Sequence, residues 1–263
     1  MRRFFTALLL ILIGLPPARA ADPARVLIYG DAAYPPYSYV EQGQFRGLYV
    51  EALREIAQGL APDYEIELRP VPWRRGLRML EQGEALVLFP PYRRAEREYI
   101  ARYSPPLLTE TVVLVCREGL QPLPRNFPSQ FAGLRIGVNA GFALSDRLVE
   151  ARQKGLVQVE DAVDSLANLR KLQLGHLDCY ANDRRAIALS LQLLNQQLRP
   201  GQQALRLNEA TELSAETVHL AYGLAGVDRL PPGFIARLDA AIAAYVQRGG
   251  MERLLRRYVP PQP

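Results

Sequence analysis

The chain has 263 residues and a formal charge of +5, and Arg2, Arg3 and Arg19 carry three of those charges, so residues 21–263 hold 5 − 3 = +2. That near-neutral balance argues against a nucleic-acid partner. The two cysteines and two histidines make no metal-ligand spacing, and no GxSxG, HExxH, phosphate-loop or dinucleotide fingerprint occurs, so neither a metal nor a cofactor is expected.

Met1–Ala20 reads as a secretory signal peptide. Arg2 and Arg3 give a positive start, Phe4–Leu15 is apolar, and Ala18-Arg19-Ala20 is a small-x-small cleavage site. The apolar run is about a dozen residues, short of the roughly twenty needed to span a bilayer. An exported, soluble protein of the periplasm is therefore expected, with cleavage after Ala20. What remains is long enough for one large domain or two lobes of about a hundred residues each.

In chain order, Arg25–Gly30 reads as a buried strand and DAAYPPYSY as a proline-broken, tyrosine-rich loop. Gly47–Leu60 has helical spacing, Tyr64–Leu68 alternates as a strand, Trp73–Leu80 is a short helix and Ala85–Phe89 a buried strand. This β-α-β-α-β pattern predicts an α/β unit with a mainly parallel sheet. At Pro90-Pro91-Tyr92 strand pairing must stop, because proline lacks an N–H. A charged segment with Arg93, Arg94 and Arg97 follows. An arginine there is placed to grip an anion through two parallel N–H donors, although a solvated charge run fits the residue types equally.

Thr111–Cys116 is a β-branched strand, and Pro122, Pro124 and Pro128 mark a change of region. A second α/β unit begins with strand Leu134–Val138, then Asn139-Ala140-Gly141 and a helix from about Ala143 to Gln153. Strand Leu156–Val159, a helix Asp164–Leu174 stopped by Gly175, strand Leu177–Tyr180 and a helix Arg184–Gln196 follow. Ala204–Asn208 and Thr217–Gly223 are further strands, and Pro232–Gln247 and Gly250–Tyr258 are helices. These last elements would overfill the second unit, so the chain is expected to return to the first. The result is two α/β lobes joined by crossing segments near Val112–Arg117 and His219–Gly223, with a default ligand site in the cleft. Cys116 and Cys179 lie in apolar strand-like runs. An exported compartment permits a disulfide between them, and two buried free thiols fit as well.

The motifs YPPYSY, GLYVEALREIA, RRAEREYIARYSPPL, LRIGVNAG, GHLDCYANDR and GGMERLLRRY, in that order and spacing, resemble the periplasmic solute-binding proteins of the polar amino-acid type, bacterial extracellular solute-binding family 3. The resemblance covers essentially the whole chain after Ala20. It implies the two-lobed periplasmic binding protein fold (type II), with a first lobe of residues 21–113 and 219–263 and a second of 114–218. It also implies a monomer that binds a small amino-acid-like ligand for an ABC-type permease or a sensor. By the same resemblance Arg97 binds the ligand α-carboxylate and Asp183 the α-ammonium. Tyr34 covers the ligand side chain with Asp31 nearby, and the backbone at Pro90–Tyr92 completes the ammonium site. Backbone N–H groups at Gly141, Phe142 and Ala143 hold the carboxylate. Tyr34, Tyr37, Trp73 and Tyr92 could form an aromatic wall or pack in the core.

Departures from the family pattern lie in the same places. Phe142 and Ala143 stand where threonines are usual, Arg94 stands at a usual threonine, and the hydroxyl residue common near Pro90–Tyr92 is missing. Two rivals follow. One is a dehydratase of the cyclohexadienyl type on the same fold, with Glu110, Asp146 or Asp183 as acid. The other is a signalling partner with a degenerate cleft.

Overall fold

The computed structural model describes residues 22–120, 125–199 and 201–258. The leader, its cleavage site, Pro122 and Pro124 lie outside them. In chain order the elements are β1 (Ala24–Asp31), β2 (Ala33–Tyr34), β3 (Ser38–Glu41), β4 (Gln44–Arg46), α1 (Leu48–Gln58), β5 (Tyr64–Val71), α2 (Trp73–Glu81), β6 (Val87–Phe89), β7 (Ile100–Tyr103) and β8 (Leu108–Arg117). Then come β9 (Arg135–Asn139), α3 (Asp146–Gln153), β10 (Gln158–Ala162), α4 (Ser165–Gln173), β11 (Cys179–Asp183), α5 (Arg184–Gln196), β12 (Leu207–Val218), β13 (Ala221–Gly223), α6 (Phe234–Gln247) and α7 (Gly250–Tyr258).

Two five-stranded sheets define two α/β lobes. The first has the order β5-β1-β6-β13-β7 and the second β10-β9-β11-β8-β12. β1 pairs parallel with β5 and β6, while the late strand β13 enters the first sheet antiparallel to β6 and β7. The chain therefore returns to its first sheet. α6 and α7 then cover α1, where Tyr245 and Arg253 donate to Glu55 and Arg257 and Tyr258 to Glu51.

The β-branched run in β8 is buried on both faces, as expected of a central strand. Val112, Leu114 and Cys116 pack with Ile136, Val138 and Leu148, whereas Val113 and Val115 pack with Leu169, Tyr180 and Ile187 under α4 and α5. Asp164 caps α4 by accepting the Ala167 N–H at 2.8 Å, and Gly175 follows its end with φ +71°.

Three features differ from the sequence reading. The DAAYPPYSY loop and the residues after it form a small three-stranded sheet, β2-β3-β4, turned at Gln42-Gly43 where both φ angles are positive. β12 is one twelve-residue strand with two bulges that fills the gap between the expected strands Ala204–Asn208 and Thr217–Gly223, and the end of the latter forms β13. Its glutamates hid it, and they are tolerated because β12 lies at the sheet edge. Finally, Val112–Arg117 lies inside the second sheet rather than between the lobes. The crossings are Ser104–Leu107 and His219–Leu220, which run side by side. Leu107 N–H bonds Val218 O at 2.8 Å, Ser104 N–H bonds Leu220 O at 2.9 Å, and His219 bonds the Ser104 carbonyl.

Cys116 and Cys179 form a disulfide between directly opposed residues of β8 and β11, so the free-thiol alternative falls. The bond closes a loop over a sequence separation of 63. Loop-closure entropy assigns such a cross-link about 4 kcal/mol. Replacing both cysteines with alanine should lower the unfolding free energy by that amount in urea titrations, and an unchanged midpoint would show that the cross-link adds nothing.

Candidate ligand-binding site

The C-terminal ends of β1 and β6 and the turn after β9 meet between the lobes, where strand ends in α/β sheets commonly present ligand sites. Asp31 ends β1 and is 2% exposed. Its Oδ1 accepts the Ala33 N–H at 3.0 Å. Burial pushes its carboxyl up to about 7, with a smaller push from the negative charge of Asp164, against the pull of the Ala33 bond.

Beyond β6, Pro90, Pro91 and Tyr92 line the same cavity. The three arginines that follow have separate fates. Arg93 is exposed. Arg94 is buried and ties the lobes. Its guanidinium donates to Glu216 at 2.8 Å, to the Leu144 carbonyl at 2.8 Å and to the Ala143 carbonyl at 3.1 Å. Arg97 lines the cavity and is 8% exposed. One of its terminal nitrogens lies 3.5 Å from the Gly141 carbonyl, and the other, Nη1, is buried without a partner. Its guanidinium lies 5.9 Å from the Trp73 ring centre.

Trp73 opens α2 and donates its indole N–H to the Gly141 carbonyl at 3.1 Å. Gly141 has φ +84°, and a Cβ there would lie 3.3 Å from the Trp73 ring and 2.9 Å from Arg74, so only glycine allows this approach. Phe142 meets Tyr34 and Trp73 in T-shaped contacts, with centroids 5.2 and 6.1 Å apart. An aromatic wall thus runs across both lobes. Ala143 and Leu144 complete the lining. The space open to the centre of a water molecule is about 20 Å³, room for one or two waters. A larger ligand enters only when the lobes part.

Of the residues singled out from sequence, Asp31, Tyr34, Trp73, Pro90, Tyr92, Arg97 and Phe142 come together around this cavity. Gly141 stands behind the lining as the acceptor for Trp73. Asp183 does not line the cavity and is fully buried. Its Oδ1 caps α5 by accepting the Arg185 and Ala186 N–H groups at 2.9 and 3.0 Å, and also accepts the Tyr37 hydroxyl at 2.7 Å. Its Oδ2 accepts the Thr111 N–H at 3.1 Å. Both oxygens thus accept bonds from the chain itself, and the capping geometry of β11 into α5 gives the acid a role besides the expected ammonium site.

Sequence reasoning also missed how Glu110 is held. Tyr34 and Tyr92 donate to its Oε2 at 2.5 Å, and Tyr49 donates to its Oε1 at 2.5 Å. Burial, and secondarily the charge of Asp183, push this carboxyl up to about 8 against those three bonds. A glutamate opening a strand beside a tyrosine-rich chain was the only signal, and it does not say which tyrosines converge.

Two lobes, paired crossing segments and a cavity with a buried, unsatisfied guanidinium define the solute-binding class of two-lobed proteins. The model of the bacterial extracellular solute-binding proteins, family 3, matches residues 26–261, and the chain belongs to that family. No curated protein sequence matches it. Among solved structures it is similar to a histidine kinase sensor domain with similarity to periplasmic binding proteins, at TM-score 0.75 and 18% identity over 90% of this chain and 97% of that one. It is also similar to the arginine-, lysine-, histidine-binding protein ArtJ from Geobacillus stearothermophilus, at TM-score 0.71 and 17% identity over 91% and 96%. A third likeness is to the ancestral amino acid-binding protein AncCDT-1, a precursor of cyclohexadienyl dehydratase, at TM-score 0.69 and 15% identity over 89% and 95%.

Proposed function

We propose that this chain captures a small, amino-acid-like carboxylate between its lobes in the periplasm and presents it, as a monomer, to an ABC-type permease or a sensor. The observation that carries this reading is Arg97. A guanidinium 8% exposed, with one nitrogen unpartnered, costs free energy unless an anion completes it. A carboxylate does so with charge-assisted bonds, strengthened where water is excluded.

The lobes supply the mechanics. Arg94 and Trp73 from the first lobe bond the carbonyls of Leu144, Ala143 and Gly141 in the second. A ligand held at Arg97 beside the same turn adds contacts that exist only when the lobes are together, which shifts the open–closed balance toward closure. The family and the amino-acid-binding neighbours support this reading, and the sensor-domain neighbour supports a sensing role equally with a transport one.

The dehydratase alternative keeps one observation. Glu110 and Asp183 are shielded from the cavity and Asp146 is exposed on α3, but Asp31 lines the cavity with a carboxyl at about 7, suited to proton donation near neutral pH. Calorimetric titration of the purified chain with amino acids and organic acids, followed by recovery of the ligand, tests both. A binder saturates and returns its ligand unchanged, with a melting temperature that rises as ligand is added. Conversion of the ligand would establish an enzyme, and no saturable binding to any carboxylate would end the capture reading.

A further inference from the structure

Arg94 lies on the segment between β6 and β7, just before Arg97, and its side chain is 5% exposed. Its backbone N–H donates to the hydroxyl of Tyr103 on β7 at 3.3 Å, which fixes the segment to the first lobe. Its guanidinium is turned to the second lobe. It donates to the Ala143 and Leu144 carbonyls in the turn after β9, at 3.1 and 2.8 Å, and to Glu216 on β12 at 2.8 Å. Asp146, which opens α3, adds an ion pair at 3.7 Å. In the second sheet β11 and β8 lie between β9 and β12, so one side chain ties two separate parts of that lobe to the first. The planar fork of an arginine permits this, whereas the short hydroxyl side chain usual at this position has neither the reach nor the donors.

Arg94 does not line the cavity, so these bonds close the lobes on the chain's own groups. Others act with them. The hydroxyls of Tyr34, Tyr49 and Tyr92 from the first lobe donate to Glu110 of β8, that of Tyr37 donates to Asp183 of β11, and the Trp73 indole donates to the Gly141 carbonyl. Hydrogen bonds to a charged group are roughly twice as strong as neutral ones. The Arg94–Glu216 pair joins two charges, with side chains 5% and 14% exposed, which makes it the inter-lobe contact most costly to release.

We propose that Arg94 is a clasp built into the chain: it holds the two lobes together at rest, and a ligand reaches the cavity only in the fraction of molecules in which the clasp has released. The consequence for ligand exchange rests on the carboxylate-capture reading. The closed cavity has about 20 Å³ open to the centre of a water molecule, too little for an amino-acid-like carboxylate, so association waits on opening and its rate scales with the released fraction. The neighbouring arginines divide the task, Arg94 closing the cleft and Arg97 holding the anion.

Trp73 is the single tryptophan of the chain. It is 8% exposed and bonds across the lobes, so acrylamide quenching of its fluorescence reads opening with no ligand added. In Arg94→Gln the quenching constant should rise about threefold or more over the parent, as the released fraction grows, and small-angle scattering should give a larger radius of gyration. Glu216→Gln removes only the ion pair and should move both readouts the same way by less, which covers an Arg94→Gln chain too unstable to fold. Arg93→Gln, at the exposed neighbour, should move neither. An arginine that served folding alone would lower the melting temperature and leave quenching of the folded chain unchanged. A parent quenched as freely as Arg94→Gln, or folded Arg94→Gln and Glu216→Gln chains as shielded as the parent, would overturn the inference. With L-arginine and L-glutamine as probes, stopped-flow association should be about fivefold or more faster in Arg94→Gln, and an unchanged rate for a probe that binds would overturn it as well. Failure of these amino acids to bind bears on capture alone, because quenching and scattering decide the clasp without a ligand.

Discussion

Arg97→Gln is expected to weaken binding of every carboxylate ligand by about a hundredfold or more, while the ligand-free melting temperature holds or rises. The two halves of that result have one cause. Truncating the buried cation of a charge-assisted pair costs about 2–5 kcal/mol of affinity, and about 2.7 kcal/mol is already a hundredfold. In the free chain the same guanidinium is a liability, because its Nη1 is buried without a partner and desolvation of an unpaired donor opposes folding. Glutamine removes the charge and, with it, the buried unpartnered Nη1. Arg94→Gln is the control. It breaks bonds to Glu216, Ala143 and Leu144 and leaves Glu216 without its partner, so it should lower stability, in contrast to Arg97→Gln. Calorimetry and thermal unfolding of the two variants decide the matter. If Arg97→Gln binds carboxylates as the parent does, the anion site lies elsewhere.

Stability should fall as pH rises from about 4.5 to about 8, and Glu110→Gln should remove much of that slope. Glu110 is fully buried, and its carboxyl is pushed up from 4.5 to about 8. Between those values the folded chain holds a proton that the unfolded chain has released. Folding then takes up a proton, and stability declines with rising pH. Below about 4.5 both states are protonated and the group's contribution is fully present; above about 8 both are ionised and it has been lost. At about 1.4 kcal/mol per unit, the difference is on the order of 5 kcal/mol for this one group. Asp31, raised from 3.8 to about 7, tilts the curve the same way at lower pH. The neutral amide of glutamine does not titrate, so the variant should keep only the slope due to Asp31 and other groups. Urea unfolding at intervals between pH 5 and 8 measures both curves. Parallel curves for parent and variant would show that the three tyrosines hold an ionised carboxylate throughout.

Much of this protein was legible before any contact was known. Residue periodicity marks the β-α-β units, and the run of strands and helices too numerous for one sheet announces two lobes and a return. The cavity lining became legible through the family resemblance, which pointed to Tyr34, Pro90, Tyr92, Arg97 and Phe142, and these residues border one cavity together with Trp73. Local pattern also reads a cap at Asp183, while the family resemblance offered it a binding role.

The bonds Asp183 makes to the chain depend on Tyr37, 146 positions away, whose hydroxyl donates to the same oxygen that caps α5. The same holds for Glu110, whose tyrosines lie 76, 61 and 18 positions distant, and for the cross-link of Cys116 to Cys179, fixed only when β11 pairs with β8. A residue's type and spacing decide what it can offer, since those properties belong to a few neighbouring residues. Whether the offer goes to a ligand or to the chain depends on which distant segments arrive beside it, and in this protein that arrival left Arg97 and Asp31 facing the cavity and occupied the rest.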